Sequence, residues 1–278
     1  MKPGAVRLNV ANLDRQRAFY ERAIGLDSID PSNGFARLGA DGATVVELVE
    51  SPDAGPRPPG TTGLFHLAIL VPDREELAAA LARVTQAGWR LTGASDHLVS
   101  EALYLNDPEG NGIEIYRDRP RSEWRYDDGS VHMSTLPLDL HGLLGELEGT
   151  QRDAGGMPAA TRIGHIHLNV ADLADSEAFY SGVLGFDVTV RRYPGALFLS
   201  TGGYHHHIGV NTWAGAGAPA PPAGSRGLEW LELAVEDRRQ LAEIVKRLEG
   251  AGVALERLPE GLHTHDPSGN GLLIRSAD

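Results

Sequence analysis

Histidine is the residue type in this sequence with the greatest capacity for metal binding and proton transfer. The chain of 278 residues contains 11 histidines and no cysteine. Zinc–thiolate sites, iron–sulfur clusters, disulfides and thiol nucleophiles are therefore excluded. Imidazole nitrogens and carboxylate oxygens are the groups left to bind a divalent metal, and imidazole also exchanges protons near neutral pH.

These histidines are carried by a chain that repeats itself. The segment of residues 6–27 recurs at a constant offset of 160, with identical residues at positions that include Phe19 and Tyr20. The motif Asp-Pro-x-Gly-Asn-Gly occurs at residues 107–112 and again at residues 266–271. We interpret this motif as a turn, because Asp, Pro, Asn and Gly are the residues that turns favour. The sequence therefore consists of two homologous halves.

Each half contains two smaller units with the same predicted order of elements. A short apolar strand comes first, an amphipathic helix that ends at a glycine follows, and short strands complete the unit. The predicted helix-ending residues are Gly25, Gly88, Gly185 and Gly252. The predicted fold class is α+β, with four βαβββ modules. The modules fall near residues 4–50, 61–118, 161–213 and 225–276.

The repeat also predicts the domain organisation. We expect a first domain at residues 1–118 and a second at residues 161–278, each made of two modules. Residues 119–160 break the repeat and form a linker. Trp124 and several leucines indicate that part of this linker packs against the domains, whereas residues 150–160 are rich in Gly and Ala and indicate a true connection.

The arrangement resembles the vicinal oxygen chelate superfamily, which includes glyoxalase I, fosfomycin resistance proteins and extradiol ring-cleaving dioxygenases. The similarity lies in the four modules, in a Phe-Tyr pair followed by glycine after the first strand, and in the Asp-Pro-x-Gly-Asn-Gly turn before the last strand. The resemblance implies two glyoxalase-like domains. In this superfamily two modules form a curved, partly open barrel around a divalent metal, whose ligands come from the first and last strands.

The resemblance implies a metal site in the middle of the chain. His66 and His165 occupy equivalent ligand positions on the first strands of modules two and three, and Glu114 occupies the position on the last strand of module two. Two imidazoles and one carboxylate with open positions suit Fe(II) and its chemistry with dioxygen, and Mn(II) is the alternative metal. The corresponding positions of modules one and four hold no donor, so we expect their site to be empty. Those positions are Ala5, Trp230 and Leu273.

Three further residues match extradiol catechol dioxygenases. His97 and Tyr104 precede Glu114 in the order found in that family, with Tyr104 ten residues before the ligand. Residues 198–209 resemble the family segment that ends in a catalytic histidine, and His206 is its best match. The resemblance implies that His206 transfers protons, that Tyr104 donates a hydrogen bond to a substrate oxygen and that His97 helps to hold the substrate.

The implied function is extradiol cleavage of a catechol by O2 at Fe(II) or Mn(II), with no organic cofactor. The module order, reversed relative to the large extradiol enzymes, resembles the two-domain catechol 2,3-dioxygenases. Two alternatives stay open. One is another metal-dependent enzyme of the superfamily, of the glyoxalase type, although neither a fourth ligand nor a basic glutathione clamp is evident. The other is a non-enzymatic protein that binds a small aromatic drug, which would not need the ligand set.

Composition narrows the expected partners and location. A net charge of −13 gives no general basic field for nucleic acid. The sequence shows neither a signal peptide nor an apolar run of about 18 residues that would cross a membrane. We therefore expect a cytoplasmic homo-oligomer whose partners are a catechol and O2, without nucleic acid or membrane.

The remaining histidines keep more than one interpretation. His167 shares a strand face with His165 and is either part of the site or a support for it. His205 and His207 flank His206 in a predicted strand and are either members of the site or structural. Four others lack partners in the pattern and are interpreted as structural or surface residues: His132, His141, His263 and His265.

Overall fold

The computed structural model describes residues 1–148 and 155–277, and the first half of the chain folds as two βαβββ modules. In both modules a helix follows the first strand. Module one comprises β1 (Lys2–Val10), α1 (Leu13–Phe19) with a π-helical turn (Tyr20–Ile24), β2 (Asp27–Ser32), β3 (Phe35–Ala40) and β4 (Ala43–Glu50). Module two comprises β5 (Gly63–Val71), α2 (Arg74–Gln86), β6 (Gly93–Asp96), β7 (Ser100–Asn106) and β8 (Gly112–Asp118).

The second half repeats this order after a linker of short elements. The linker comprises a 3₁₀ turn (Arg121–Glu123), β9 (Tyr126–Asp127), β10 (Ser130–Val131), β11 (Leu136–Pro137), α3 (Leu140–Leu144) and another 3₁₀ turn (Gly145–Leu147). Module three comprises β12 (Arg162–Asn169), α4 (Leu173–Glu177) with a π-helical turn (Ala178–Val183), β13 (Asp187–Tyr193), β14 (Ala196–Ser200) and β15 (Ile208–Asn211). Module four comprises β16 (Gly227–Val235), α5 (Arg238–Gly250), β17 (Glu256–Leu258), β18 (Gly261–His265) and β19 (Gly271–Ser276). The predicted α+β fold of four modules is confirmed.

Local sequence signals explain where the four module helices begin and end. Each helix starts after an Asn or Asp side chain that accepts a hydrogen bond from the backbone N–H three residues later. These caps are Asn12, Asp73, Asp172 and Asp237. The four predicted helix-ending glycines have φ angles between 70° and 91°, the left-handed region that glycine adopts without strain.

The strands form two large sheets, and each sheet takes one module from each half of the chain. The first sheet has the order β17-β18-β19-β16-β1-β4-β3-β2, and the second has the order β11-β6-β7-β8-β5-β12-β15-β14-β13. Module one therefore joins module four through β1 and β16, and module two joins module three through β5 and β12. This is the pairing expected for the metal site. The domain boundaries after residue 118 and before residue 161 stay a prediction.

The tyrosine of each Phe-Tyr pair contacts the aspartate of an Asp-Pro-x-Gly-Asn-Gly turn, and these contacts link the two sheets. The Asp266 carboxylate accepts hydrogen bonds from turn groups that include the Asn270 side chain, and it also accepts one from the Tyr180 hydroxyl at 3.0 Å. In the first half Asp107 accepts turn N–H groups in the same way, and the Tyr20 hydroxyl lies at 3.5 Å. The motif is thus a turn, as predicted. Each Tyr–Asp pair joins a module of one sheet to a module of the other.

The linker packs in part, as the sequence predicts. Trp124 and Leu143 are buried, whereas Leu136 and Leu144 are exposed. Residues 149–154, which include the first five residues of the predicted Gly/Ala-rich connection at 150–160, lie outside the described residues. Within the described part of the chain, every helix is too short or too polar to cross a membrane.

Candidate metal centre

One face of the second sheet brings His66, Glu114 and His165 together. These residues lie on β5, β8 and β12, and β5 is the strand between the other two. Ala68 of β5 is in register with both Glu114 and His165, so a small side chain lies between the two donors. One donor atom from each of the three residues lies within 4.8 Å of the others. The spacing allows one ion to contact all three.

The distances within this group fit a divalent metal. The Nε2 atoms of His66 and His165 lie 3.0 Å and 3.1 Å from the same Glu114 oxygen, Oε2. Adjacent ligands of an octahedral ion with bonds of about 2.1 Å are about 3 Å apart. Among the described residues, the buried Nε2 of His66 finds no partner in hydrogen-bonding geometry. A divalent metal would satisfy this buried nitrogen and bind the neighbouring carboxylate at the same time.

The electrostatics of the group also favour a cation. Burial alone would raise the pKa of Glu114, but the imidazoles of His165 and His66 outweigh it and hold this pKa well below its usual range. Burial lowers the pKa of His165 to about 4. At neutral pH Glu114 is therefore an anion and His165 a neutral imidazole, which are the states in which both bind metal.

Two irregularities in the β5–β12 pairing shape the surroundings of the group. The register shifts at Gly164, where an added Cβ would lie 1.8 Å from the Tyr116 hydroxyl oxygen. Only glycine leaves room for Tyr116, whose ring lies 4.8 Å from that of His165. A second shift leaves Phe65 without a partner on β12. This bulge allows the neighbouring residues Phe65 and His66 to line the same cavity, which regular alternation would forbid.

A cavity of about 480 Å³ opens above the group. All six predicted site residues line it: His66, His97, Tyr104, Glu114, His165 and His206. Glu114 is the single Asp, Glu, Lys or Arg among the described residues of its wall. The cavity therefore combines one anionic carboxylate with imidazole, hydroxyl and apolar surfaces.

His97 and Tyr104 form a hydrogen-bonded pair at one side of the cavity. Nδ1 of His97 lies 2.8 Å from the Ser134 carbonyl oxygen, which can only accept, so in the neutral ring Nε2 accepts the Tyr104 hydroxyl at 2.7 Å. The turn that carries His97 includes Leu98 with a positive φ of 69°. Tyr104 is directly opposite Glu114 on the neighbouring strand. Burial and the nearby Glu114 raise the Tyr104 pKa well above its usual value, so the hydroxyl keeps its proton.

His206 approaches the group from the other side. Its ring centroid lies 4.1 Å from that of His165. Burial, together with neighbouring histidines such as His165, lowers the His206 pKa well below its usual value. His206 is therefore a neutral imidazole at the cavity wall at neutral pH.

The predicted strand for the His205–His207 triplet is wrong, because β15 begins only at Ile208. The triplet forms a buried loop, in which the His207 N–H donates to the Leu199 carbonyl and the His207 carbonyl accepts the Ile166 N–H. Nδ1 of His207 accepts the Thr201 N–H and contacts the Ser200 hydroxyl, so His207 is structural. His205 lies behind His206 and does not line the cavity.

His167 belongs to an aromatic wall of the cavity. Its ring and those of Phe65 and Trp213 lie at centroid separations of 5.2 Å from one another. His167 lies outside the set of three donors within 4.8 Å. Its position therefore supports a role in shaping the cavity.

Most of the remaining cavity wall has no signal in the sequence analysis. Linker residues 133–135 contribute, as do Phe65, Tyr193, Phe198 and Trp213. Side chains on loops and on a bulge follow no strand periodicity that marks one face. For linker residues 133–135, the one feature of the sequence that indicates a special role is that the linker departs from the repeat.

The equivalent position between modules one and four is filled by packed side chains. Ala5, Trp230 and Leu273 form a small buried cluster. The Arg7 guanidinium lies 4.5 Å from the centre of the Trp230 ring and pairs with Glu47. Packed apolar side chains thus replace the donor positions found in the other sheet.

Comparisons with known proteins agree with this architecture. A relative named catechol-2,3-dioxygenase from Bacillus subtilis (strain 168) is 45% identical over 269 residues, which cover 95% of this chain and 93% of that protein. A proposed dioxygenase from Bacillus subtilis subsp. subtilis str. 168 matches with a TM-score of 0.70 and 11% identity, over 99% of this chain and 85% of that chain. Glyoxalase I from Zea mays matches with a TM-score of 0.60 and 15% identity, over 98% and 91% of the two chains.

The two structural matches show a shared fold alone at these identities. A family model gives the wider assignment. Residues 2–115 and 162–272 match the model of the Glyoxalase/Bleomycin resistance protein/Dioxygenase superfamily. Both repeats of this chain are covered, and the chain belongs to that superfamily.

Proposed function

We propose that this protein is an extradiol ring-cleaving dioxygenase that inserts O2 into a catechol next to the diol. The observation that carries the proposal is the buried group of His66, Glu114 and His165 at the base of a largely aromatic cavity. The similarity to a protein named catechol-2,3-dioxygenase over nearly the whole chain supports a dioxygenase acting on a catechol.

His66, His165 and Glu114 are the residues that would hold Fe(II), with Mn(II) as the alternative metal. A divalent metal held by these residues would supply Lewis acidity that favours the ionised form of the catechol, and a redox-active ion would support chemistry with O2. Glu114 contributes one negative charge, and the two imidazoles add none when neutral. The divalent ion and its three ligands would together have a net charge of +1, which favours binding of an anionic catechol.

The remaining cavity residues handle protons and orientation. His206, neutral and adjacent to His165, accepts a proton from the second catechol hydroxyl and returns it later in the reaction. The Tyr104 hydroxyl has its proton, lies near Glu114 and donates to a substrate oxygen in exchange for its bond to His97. The His97 ring is held by its hydrogen bond to the Ser134 carbonyl and then helps to hold the substrate at this side of the cavity.

The cavity wall indicates which catechols fit. Phe65, Phe198 and Trp213 contribute apolar surface, and no Lys or Arg is among the described lining residues. A ring substituent that carries a carboxylate would lose its hydration without a cationic partner, which is costly. The proposed substrate is therefore a catechol that is unsubstituted or carries an uncharged, apolar group.

The two alternatives have weaker support. A glyoxalase-type reaction on a glutathione adduct would need cationic side chains for its carboxylates, and the described cavity wall contains no Lys or Arg. A protein that only sequesters an aromatic drug would gain nothing from burying Glu114 between two imidazoles. The expectations of a homo-oligomer and of a cytoplasmic location stay predictions.

An anaerobic assay tests the proposal. Protein loaded with Fe(II), and in parallel with Mn(II), is mixed with catechol, and air is then admitted. We expect uptake of one O2 per catechol and formation of a yellow semialdehyde product only in samples with metal. A dicarboxylic muconate product, or no O2 uptake with either metal, would contradict the proposal.

A further inference from the structure

Behind His206, a chain of hydrogen bonds leads away from the cavity to Asp118 at the end of β8. The Asp118 Oδ1 atom lies 2.9 Å from Nε2 of His205, which is fully buried. Nδ1 of His205 lies 2.7 Å from Nδ1 of His206. The three side chains therefore form one continuous series from the carboxylate to the cavity wall.

The packing around His205 fixes the orientation of its ring. The Tyr204 ring lies 4.0 Å from the His205 ring on one side, and the Trp124 ring lies at 5.2 Å. The Tyr204 hydroxyl also donates to Asp118 Oδ1 at 3.0 Å. Asp118 lies four residues after Glu114, so strand alternation places both on the same face of β8.

The Asp118 carboxylate at the end of this series sets the direction of the hydrogen bonds. A carboxylate only accepts, so Nε2 of His205 is the nitrogen that has the proton. A neutral imidazole has one N–H, so Nδ1 of His205 is an acceptor. The short contact to His206 then requires that Nδ1 of His206 donates. It follows that Nε2 of His206, the nitrogen remaining to face the cavity, has a free lone pair.

We infer that Asp118 and His205 are positioning residues that hold His206 as its Nδ1–H tautomer, with Nε2 ready to accept a proton from the substrate. The task of His206 as a base rests on the proposed function. The tautomer itself does not, because it follows from hydrogen bonds that involve neither metal nor substrate. A residue that sets a tautomer acts through its partner and need not touch the substrate.

The test is a ¹⁵N NMR measurement of the histidine side chains in the metal-free full-length protein. The spectrum of His206→Asn identifies the His206 signals by their loss. We expect wild-type His206 to have its proton on Nδ1. A proton on Nε2 of His206 would mean that His205 donates to His206, and it would overturn the inference without any variant.

Substitutions of Asp118 test the origin of the tautomer. Asp118→Leu removes the acceptor and should give a mixture of His206 tautomers, whereas Asp118→Asn keeps a carbonyl oxygen and should preserve the wild-type form. Tyr204→Phe is the control, because it removes the other hydrogen bond to Asp118 and keeps the ring against His205. An unchanged His206 tautomer in folded Asp118→Leu would refute the role of Asp118. If that variant does not fold, the wild-type spectrum still decides the direction of the bonds.

A kinetic arm separates this inference from the proposed function. With catechol and bound iron, Asp118→Leu should lower kcat by roughly 10- to 100-fold, as is typical for groups that orient active-site residues. Its KM and metal content should stay near wild type, and Asp118→Asn should recover most of the rate. Failure of the wild type to cleave catechol would refute the proposed function, while the NMR result would still decide the tautomer.

Discussion

His206 and Glu114 face the same cavity, yet substitution should affect them differently. His206→Asn should retain metal and lose turnover by roughly 10²- to 10⁴-fold, the usual contribution of a general acid or base. Glu114→Gln removes the negative charge between the two imidazoles, so metal affinity itself should fall. Metal content and steady-state rates, measured under one metal supply, separate the two effects. A loss of metal in His206→Asn as large as in Glu114→Gln would make His206 a ligand.

His207 should make stability depend on pH. Burial, followed by the neighbouring imidazole of His205, lowers its pKa from 6.5 to about 3. Between these values the unfolded chain binds a proton that the folded protein does not, so the contribution is present above pH 6.5 and is lost as the pH falls. The free energy of unfolding should decrease by up to about 1.4 kcal/mol per pH unit more in the wild type than in a variant without this titration.

His207→Asn is the matched variant, because its side-chain oxygen can still accept the Thr201 N–H while it does not titrate. Urea denaturation at several pH values between 3 and 7 measures both proteins. Equal slopes for the two would rule out a buried neutral His207 as the cause.

At the residue scale the sequence predicted six side chains that line one cavity but not their supporting contacts. His66 and His165 could be found because they occupy equivalent positions in two repeated modules. Asp118 could not, because its partner His205 comes from an irregular loop that is distant in the sequence. The contacts that favour a supporting role for His167 and for His207 are visible only in three dimensions.

At the scale of the secondary-structure elements, the position of Phe65 in the β5 bulge leads to a prediction about substrate preference. Phe65 is 41% exposed at the cavity and can be replaced without disturbing a packed core. Wild-type protein should prefer 4-methylcatechol over 3,4-dihydroxybenzoate, because no Lys or Arg is among the described wall residues to pair with the carboxylate. Phe65→Arg should narrow that preference by about three- to fivefold, the value of a partly exposed ion pair.

Phe65→Gln provides the control, since it removes the ring and adds no charge. The ratio of kcat/KM values for the two catechols is the measurement. A ratio that changes equally in Phe65→Arg and Phe65→Gln would show that charge at this position does not contact the substrate.

The elements themselves were predictable where local signals are strong. Asn12, Asp73, Asp172 and Asp237 cap helices that end at glycines, and these signals recur in every module. The loop of His205–His207 was assigned to a strand because its neighbours Ile208 and Val210 alternate as strand residues do. Side-chain hydrogen bonds to the backbone, which periodicity does not report, explain the difference.

At the scale of the whole molecule, the repeat provides an internal comparison of the contacts that link the two sheets. Tyr180 donates to buried Asp266 at 3.0 Å, whereas its counterpart Tyr20 lies 3.5 Å from Asp107. Tyr180→Phe should lower the free energy of unfolding by about 1–2 kcal/mol, because the buried carboxylate loses a partner. Tyr20→Phe should cost less. Urea denaturation of both variants measures the difference, and a larger loss for Tyr20→Phe would contradict the comparison.

The pairing of modules also creates the asymmetry between the two sheets. Modules two and three supply His66, Glu114 and His165, while Trp230 fills the equivalent position between modules one and four. We therefore expect a single metal centre, between modules two and three. Anomalous X-ray diffraction at the iron edge, from crystals grown anaerobically with Fe(II), locates the ion. One peak per chain is expected, in contact with Nε2 of His66, Nε2 of His165 and the Glu114 carboxylate. A peak beside Trp230, or an iron that contacts none of the three ligands, would contradict this expectation.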